Sequence, residues 1–175
     1  MTKKRIFSIV VLAILIVGSI SFYGVSGGFA SPVVKEETSK PHFVLGTMHE
    51  GQDTVVGKAV NALLQKIQSG QVKGNPCIIH YKEPSENDRK VKAFVGIEVS
   101  DTNMRPNEGQ VYLYLKPRKV VSGYLKAMDA YVPKVYQAMD DYIKEKELKP
   151  KEELVEIVKL SGGMQQEFFF ERPIE

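Results

Sequence analysis

One glutamate stands in the middle of an apolar strand near the end of the chain. Glu156 follows Leu154 and Val155 and precedes Ile157 and Val158. Because side chains alternate along a strand, Glu156 shares a face with Leu154 and Val158. A carboxylate in such a place is costly to bury without a partner. It is therefore either a binding-site group that could pair with a ligand cation, or an edge residue held in water or in a structural ion pair.

Aromatic residues could supply the apolar surface that a flat ligand needs. Phe168, Phe169 and Phe170 are consecutive, so they must point to both faces of one strand, with Phe168 and Phe170 together. Phenylalanines on a face open to water would be unfavourable, which favours a lined groove or an interface there. We expect Phe94, Tyr112, Phe168 and Phe170 to line that groove.

Residues that could hold a metal ion are few and scattered. His42, His49 and His80 lack the spacing of metal ligands, and we expect neither a metal nor another cofactor. Cys77 is the only cysteine, so an intramolecular disulfide cannot form. No residue is assigned a catalytic role from these patterns.

Length and charge limit the classes of protein that this chain can be. Its 175 residues leave room for one core rather than two large ones. Lysines and arginines number 24 against 21 acidic residues, but Lys3, Lys4 and Arg5 precede a long apolar run. The remainder of the chain is neutral, with no basic footprint of a nucleic-acid-binding surface. We expect no nucleic-acid partner.

The N-terminal segment has the pattern of an export signal. Residues 6–25 contain no charged residue and are long enough to span a bilayer core. The three basic residues before them predict an N-terminus inside the cell and a domain outside it. The segment 1–30 is either an uncleaved single-pass anchor, which its length favours, or a signal peptide cleaved after Ala30. Residues 31–40 are polar and predict a tether, which leaves residues 41–175 as the domain.

The chain repeats itself at a shift of 76 residues. Two amphipathic helices are predicted at 54–69 and 130–146, because apolar residues recur there at intervals of three and four. Strands are predicted at 42–48, 77–82 and 91–99 in the first unit and at 120–125, 154–160 and 167–173 in the second. The same shift makes His80 the counterpart of Glu156, so the two could face each other across one groove.

The predicted fold class is α+β, built from two β-α-β-β units. A curved, mostly antiparallel sheet would carry two helices on one face and a ligand groove on the other. A further strand, 111–115, lies ahead of 120–125 across the turn formed by residues 116–118. That strand would link the two halves or extend the sheet.

Several segments resemble the GyrI-like small-molecule-binding family, which also forms effector-binding domains of AraC-type and MerR-type regulators. Residues 49–51 resemble the approach to its first helix, and residues 79–84 resemble its Tyr-x-x-Pro strand end. Residues 142–145 and 154–157 look like its second helix and the strand that bears its pocket glutamate, here Glu156. Residues 168–174 look like its closing strand. Phe169 stands where that strand usually has an acid, with Glu167 and Glu171 on either side.

The resemblance implies a groove that binds a small amphipathic compound, cationic or aromatic, with Glu156 and His80 as binding residues. Since no DNA-binding helices precede the domain, a regulator of the AraC or MerR type is not expected. Two alternatives stay open. Some GyrI-like proteins hydrolyse strained cyclopropane compounds, and Glu156 could assist water attack. The domain could otherwise be a protein-interaction module without a ligand. We expect a monomer or weak dimer.

Overall fold

The computed structural model describes residues 3–82, 90–100, 104–161 and 163–175. Pro84 of the expected strand-end motif lies outside them. In chain order the elements are α1 (Lys3–Val25), β1 (Val33–Thr38), β2 (His42–Gln52), α2 (Asp53–Gln68), β3 (Asn75–Lys82), β4 (Lys90–Val99), β5 (Val111–Leu115), β6 (Lys119–Ala127), α3 (Pro133–Glu145), β7 (Leu154–Lys159) and β8 (Gln166–Pro173).

The strands form one antiparallel sheet in the order β1-β6-β8-β7-β3-β4-β2-β5. Each half repeats the other, because β6, β8 and β7 correspond to β2, β4 and β3. The central pair is β3 and β7, in which Ile79 lies opposite Val155. The 76-residue shift maps Ile79 onto Val155, so an approximate two-fold axis passes through this pair. The predicted α+β architecture with duplicated units and two helices on one face is confirmed.

Two segments differ from the sequence-based expectation. Residues 31–40, expected to be a tether, contain β1, which pairs with β6 from Val33 opposite Tyr124 to Thr38 opposite Lys119. The segment therefore belongs to the sheet. β5 extends the first half by pairing with β2, and it does not pair with β6, although only three residues separate β5 from β6.

The short connection between β5 and β6 requires a strongly curved sheet, since these strands lie near opposite edges. Two glycines permit part of this curvature. Gly46 of β2 lies directly opposite Gly96 of β4. A Cβ at Gly46 would collide with the carbonyl oxygen of Val95, and one at Gly96 would collide with that of Leu45. Residues with side chains could not approach so closely.

The helices cover one face of the sheet. α3 packs its buried residues Val135, Met139 and Ile143 on the second half, where Phe168 and Phe170 lie beneath it. α2 lies on the first half and covers a smaller apolar cluster, which consists of Val56, Ile78, Val91, Ala93 and Val95. Each helix therefore packs on the strands of its own unit and completes the core there.

The opposite, concave face has an apolar floor of its own. This floor consists of Val44, Cys77, Ile79, Phe94, Leu115, Val155 and Ile157. Along each strand, the residues of this floor alternate with residues that face the helices, because successive side chains of a strand point to opposite faces. The concave floor runs across both halves of the sheet.

The residues that directly follow α1 are built into the domain. Ser26 is fully buried; its carbonyl oxygen accepts from the Met128 amide at 2.9 Å, and its hydroxyl lies 3.1 Å from that of Tyr131. Lys134 donates to the Gly28 carbonyl oxygen at 2.6 Å. A Cβ at Gly27 would lie 2.7 Å from Ala127. The folded domain thus begins before residue 31. Among the residues whose side chains the structure describes, which in α1 are those from Val11 onward, no helix has both the length and the apolar character required to cross a membrane.

Candidate ligand-binding groove

A histidine joins the two halves of the sheet across the concave face. His42 begins β2, and its ring nitrogens lie 2.7 Å from Glu98 Oε1 and 3.1 Å from Glu171 Oε1. Glu98 lies on β4 and Glu171 on β8. Because β2 and β8 are not neighbours, this contact exists only in a sheet that curves toward His42. His42 is 8% exposed, so most of the cluster is shielded from water.

The pKa of His42 is raised to about 9 because its ring donates hydrogen bonds to Glu171, which has the larger effect, and to Glu98; burial opposes this rise. The hydrogen bond from His42 lowers the pKa of Glu98, again against burial. At neutral pH the ring is therefore protonated. With both carboxylates ionised, the three side chains together carry one negative charge.

This cluster lies in a cleft of about 410 Å³ on the concave face. Phe169 and Glu171 also line an adjoining cleft of about 480 Å³, together with Lys35 and Glu37 of β1. We call the two clefts together the groove. Since β1 forms the outer wall of both clefts, the segment expected to be a tether is part of the groove.

Phe169 is the aromatic wall of the groove. Its ring lies 5.0 Å from the ring of Tyr124, with which it is paired across β8 and β6. The Lys159 ammonium lies over the same ring, 4.6 Å from its centroid. The ring is thus already placed to accept a cation on one face.

Charged residues of both signs line the groove. The carboxylates come from Glu37, Glu98, Glu167 and Glu171, and the cations from Lys35, Lys40, His42 and Lys159. Lys35 pairs with Glu37 at 2.7 Å, and hydrogen bonds from Lys35 and Ser122 lower the pKa of Glu37. Glu98 and Glu171 are the more buried acids, while Lys40 and Lys159 are exposed. The lysines can therefore move into water more easily than the two carboxylates.

Glu156 and His80 meet each other, as expected, but on the opposite face. His80 Nε2 lies 3.8 Å from Glu156 Oε2, and the two residues are related by the approximate two-fold axis. The hydroxyl of Tyr136, on α3, donates to Glu156 at 3.5 Å. Leu154 and Val158, which share the face of Glu156, pack under α3. Glu156 therefore lies on the helix-covered side and not among the groove residues.

The other expected binding residues present little or no open surface to the groove. Phe168 and Phe170 share a face and are buried under α3 at 4% and 1% exposure. Phe170 also borders the groove on β8, as expected, whereas Phe168 does not. Tyr112, on the edge strand β5, lies opposite Leu45 and donates its hydroxyl to the Met104 carbonyl oxygen. Phe94 does lie on the concave face, but it is 1% exposed and belongs to the apolar floor.

The prediction that Glu156 lies in the groove is wrong, because Glu156 lies on the face that the helices cover. Alternation along a strand shows which residues share a face, but it does not show which face the helices cover. The sequence of β8 does indicate which face of the sheet is open to water. Glu167, Phe169 and Glu171 share a face, and two charges around one aromatic residue indicate contact with water. Glu98, in the apolar strand β4, gives the same kind of signal as Glu156.

The described part of the chain contains no group of three His, Cys, Asp or Glu residues arranged to hold a metal ion. Cys77 is fully buried in the concave floor, and burial raises the pKa of its thiol. A thiol in this environment is a poor nucleophile. The groove therefore offers charge and an aromatic surface for binding.

Comparison with known proteins gives likenesses of structure. No family model matches the sequence, and neither does any curated protein. The integron cassette protein VCH_CASS2 from Vibrio cholerae superposes with a TM-score of 0.57, at 10% identity over 81% of this chain and 95% of its own. The C-terminal domain of EcmrR superposes with a TM-score of 0.56, at 10% identity over 83% of this chain and 98% of its own.

A third similar structure is that of SAV2435 bound to tetraphenylphosphonium. It has a TM-score of 0.50 and 13% identity, and the match covers 82% of this chain and 94% of that one. At such identities the likenesses establish the fold and nothing about the ligand. The fold is the duplicated, curved α+β sheet that the GyrI-like resemblance implies.

Proposed function

We propose that the chain is a GyrI-like binding protein whose groove takes a small amphipathic cation with a flat, apolar body. The observation that carries the proposal is the position of Glu171 beside the exposed side of Phe169, in a cleft of about 410 Å³. Charge pairing, cation-π contact and burial of apolar area would act together on such a ligand.

The resident cations do not cancel this attraction. The His42 cluster keeps a net negative charge at the more buried end of the groove, and the exposed lysines can turn into water when a ligand enters. Lys159, which now lies over Phe169, occupies a position that a ligand cation could take. SAV2435, which shares the fold, was solved with tetraphenylphosphonium bound, and this cation is a suitable first probe.

The test is a titration of the purified full-length chain with tetraphenylphosphonium and with neutral triphenylphosphine oxide. Glu171→Gln should weaken binding of the cation tenfold or more, because a charge-assisted contact contributes roughly 1.5 to 3 kcal/mol. Phe169→Ala should also weaken it, because the variant loses the cation-π contact and the apolar area of the ring. Glu171→Gln should barely change binding of the neutral compound. Glu145→Gln, on exposed α3 surface, is the matched control. Equal affinities in all four proteins would contradict the proposal.

We further propose that α1 is an uncleaved single-pass anchor that holds the domain outside the cytoplasmic membrane. Large apolar side chains of α1, such as Leu12, Ile14 and Ile20, are more than half exposed, which is unfavourable in water. Lys3, Lys4 and Arg5 at its start fit an N-terminus inside. The contacts of Ser26 and Gly28 with the domain support retention of the helix.

This second proposal is tested with an export-dependent reporter fused after Glu175. The fusion should be active, and the chain should remain in the membrane fraction at its full length. Activity only of a cytoplasmic reporter would contradict the orientation, whereas a shortened, released product would contradict the anchor. Neither outcome would affect the groove.

A further inference from the structure

A separate cleft lies on the other face of the sheet, beside α2. It has a volume of about 250 Å³ and is bounded by α2, by β2 and β4, and by residues 104–110. Its floor includes Leu45, Val95 and Ile97, which are all less than 7% exposed. Small side chains on α2, Ala59 and Ala62, leave the space open. The cleft therefore has an apolar interior.

All ionisable residues among the described lining of this cleft are basic. They are His49 on β2, Lys66 in the last turn of α2, and Arg105 on the loop after β4. No carboxylate of the described residues lines the cleft, in contrast to the groove, where four do. Within the described part of the chain, neither Lys66 nor Arg105 has an ion-pair partner.

The loop that closes the cleft is held in place. The Tyr112 hydroxyl donates to the Met104 carbonyl oxygen, and the amides of Asn107 and Gln110 are bonded within the loop at 3.0 Å each. These contacts position Arg105 at the rim. A wall fixed in this way loses little conformational freedom when a ligand binds.

We propose that this cleft binds an amphiphilic anion, a carboxylate on an aliphatic chain of the fatty-acid type. The chain would lie on the apolar floor under α2, and the carboxylate would pair with Lys66 and Arg105 at the rim. Arg105 suits this role because a guanidinium can bond a carboxylate with two parallel donors. The protein then has two sites of opposite charge preference on opposite faces of one sheet.

The probe is octanoate, compared with octyltrimethylammonium, which has the same aliphatic chain and the opposite charge. The full-length chain is studied by methyl NMR in non-ionic nanodiscs, so that shifts at Leu63 and Met104 report on the cleft itself and not on partition into lipid. Octanoate should shift these methyls in a saturable manner, even when tetraphenylphosphonium is saturating. Octyltrimethylammonium should not.

The decisive variant is the double substitution of Lys66→Gln with Arg105→Gln. It should weaken octanoate binding tenfold or more and leave tetraphenylphosphonium binding unchanged. Lys144→Gln is the matched control, since Lys144 is the basic residue in the last turn of α3. Octanoate binding that is unchanged in the double variant, equally strong binding of octyltrimethylammonium, or the absence of saturable shifts would overturn the proposal.

Discussion

His42 holds carboxylates from both halves of the sheet against one ring. A residue pair that lies 129 positions apart in the chain, His42 and Glu171, thus closes the concave face. This contact could not be predicted from the sequence, because no spacing connects the two residues and the curvature that brings them together is a property of the whole sheet.

The cluster makes stability depend on pH in a defined direction. The folded pKa of His42 is raised to about 9 from 6.5, so its contribution is complete below about pH 6.5 and is lost as the pH rises through 9. Glu98, whose pKa is lowered from 4.5, loses its contribution as the pH falls below that value. Unfolding free energy should fall by roughly 1 to 3 kcal/mol between pH 6.5 and 9.5.

Chemical denaturation at several pH values measures this change. In His42→Gln the decline between pH 6.5 and 9.5 should be largely absent, while Glu145→Gln, remote from the cluster, should retain it. A His42 ring that titrates near its ordinary value in the folded protein, as followed by NMR, would refute the ion cluster.

The reactivity of the Cys77 thiol can also be predicted. Because the thiol is fully buried and its pKa is raised by burial, it should not react with a thiol reagent in the native protein. Reaction should become rapid only in denaturant. Rapid labelling under native conditions would show that the concave floor opens.

The helices and most strands were predictable from local patterns. The amphipathic stripes of α2 and α3 have a period that only a helix satisfies, and the 76-residue shift identifies β2 and β6 as counterparts. β1 is not predicted because four of its six residues, Lys-Glu-Glu-Thr, are polar and the strand is mostly exposed, as is typical of an edge strand. The face of Glu156 was inverted because alternation alone does not identify the covered side.

The close approach of Gly46 on β2 to Gly96 on β4 makes this strand pair sensitive to substitution. Gly46→Val should destabilise the protein by at least about 2 kcal/mol, since its side chain would meet backbone atoms of β4 that cannot move aside. Gly57→Ala in α2 is the control, because nothing lies within 4 Å of a Cβ there. It should stabilise the protein by roughly 0.5 to 1 kcal/mol.

Equilibrium unfolding in urea compares these two variants with the unchanged protein. If Gly46→Val were as stable as the parent, the close approach of β2 and β4 would not be required for the curvature of the sheet.

Duplication of one β-α-β-β unit accounts for the scaffold of the whole molecule, and segments outside that unit line both proposed sites. The loop of residues 104–110 closes the cleft beside α2 in the first half. β1 forms a wall of the groove beside β6 in the second half, at the sheet edge that corresponds to the position of β5 in the first.

Binding of a flat organic cation on the concave face is tested by two-dimensional NMR of the full-length chain during titration with tetraphenylphosphonium. Saturable shifts are expected at Phe169, Tyr124 and the His42 ring, with little change at Leu63 in the cleft beside α2. Shifts confined to Glu156, His80 and the surface of α3, or no saturable shifts at all, would contradict it.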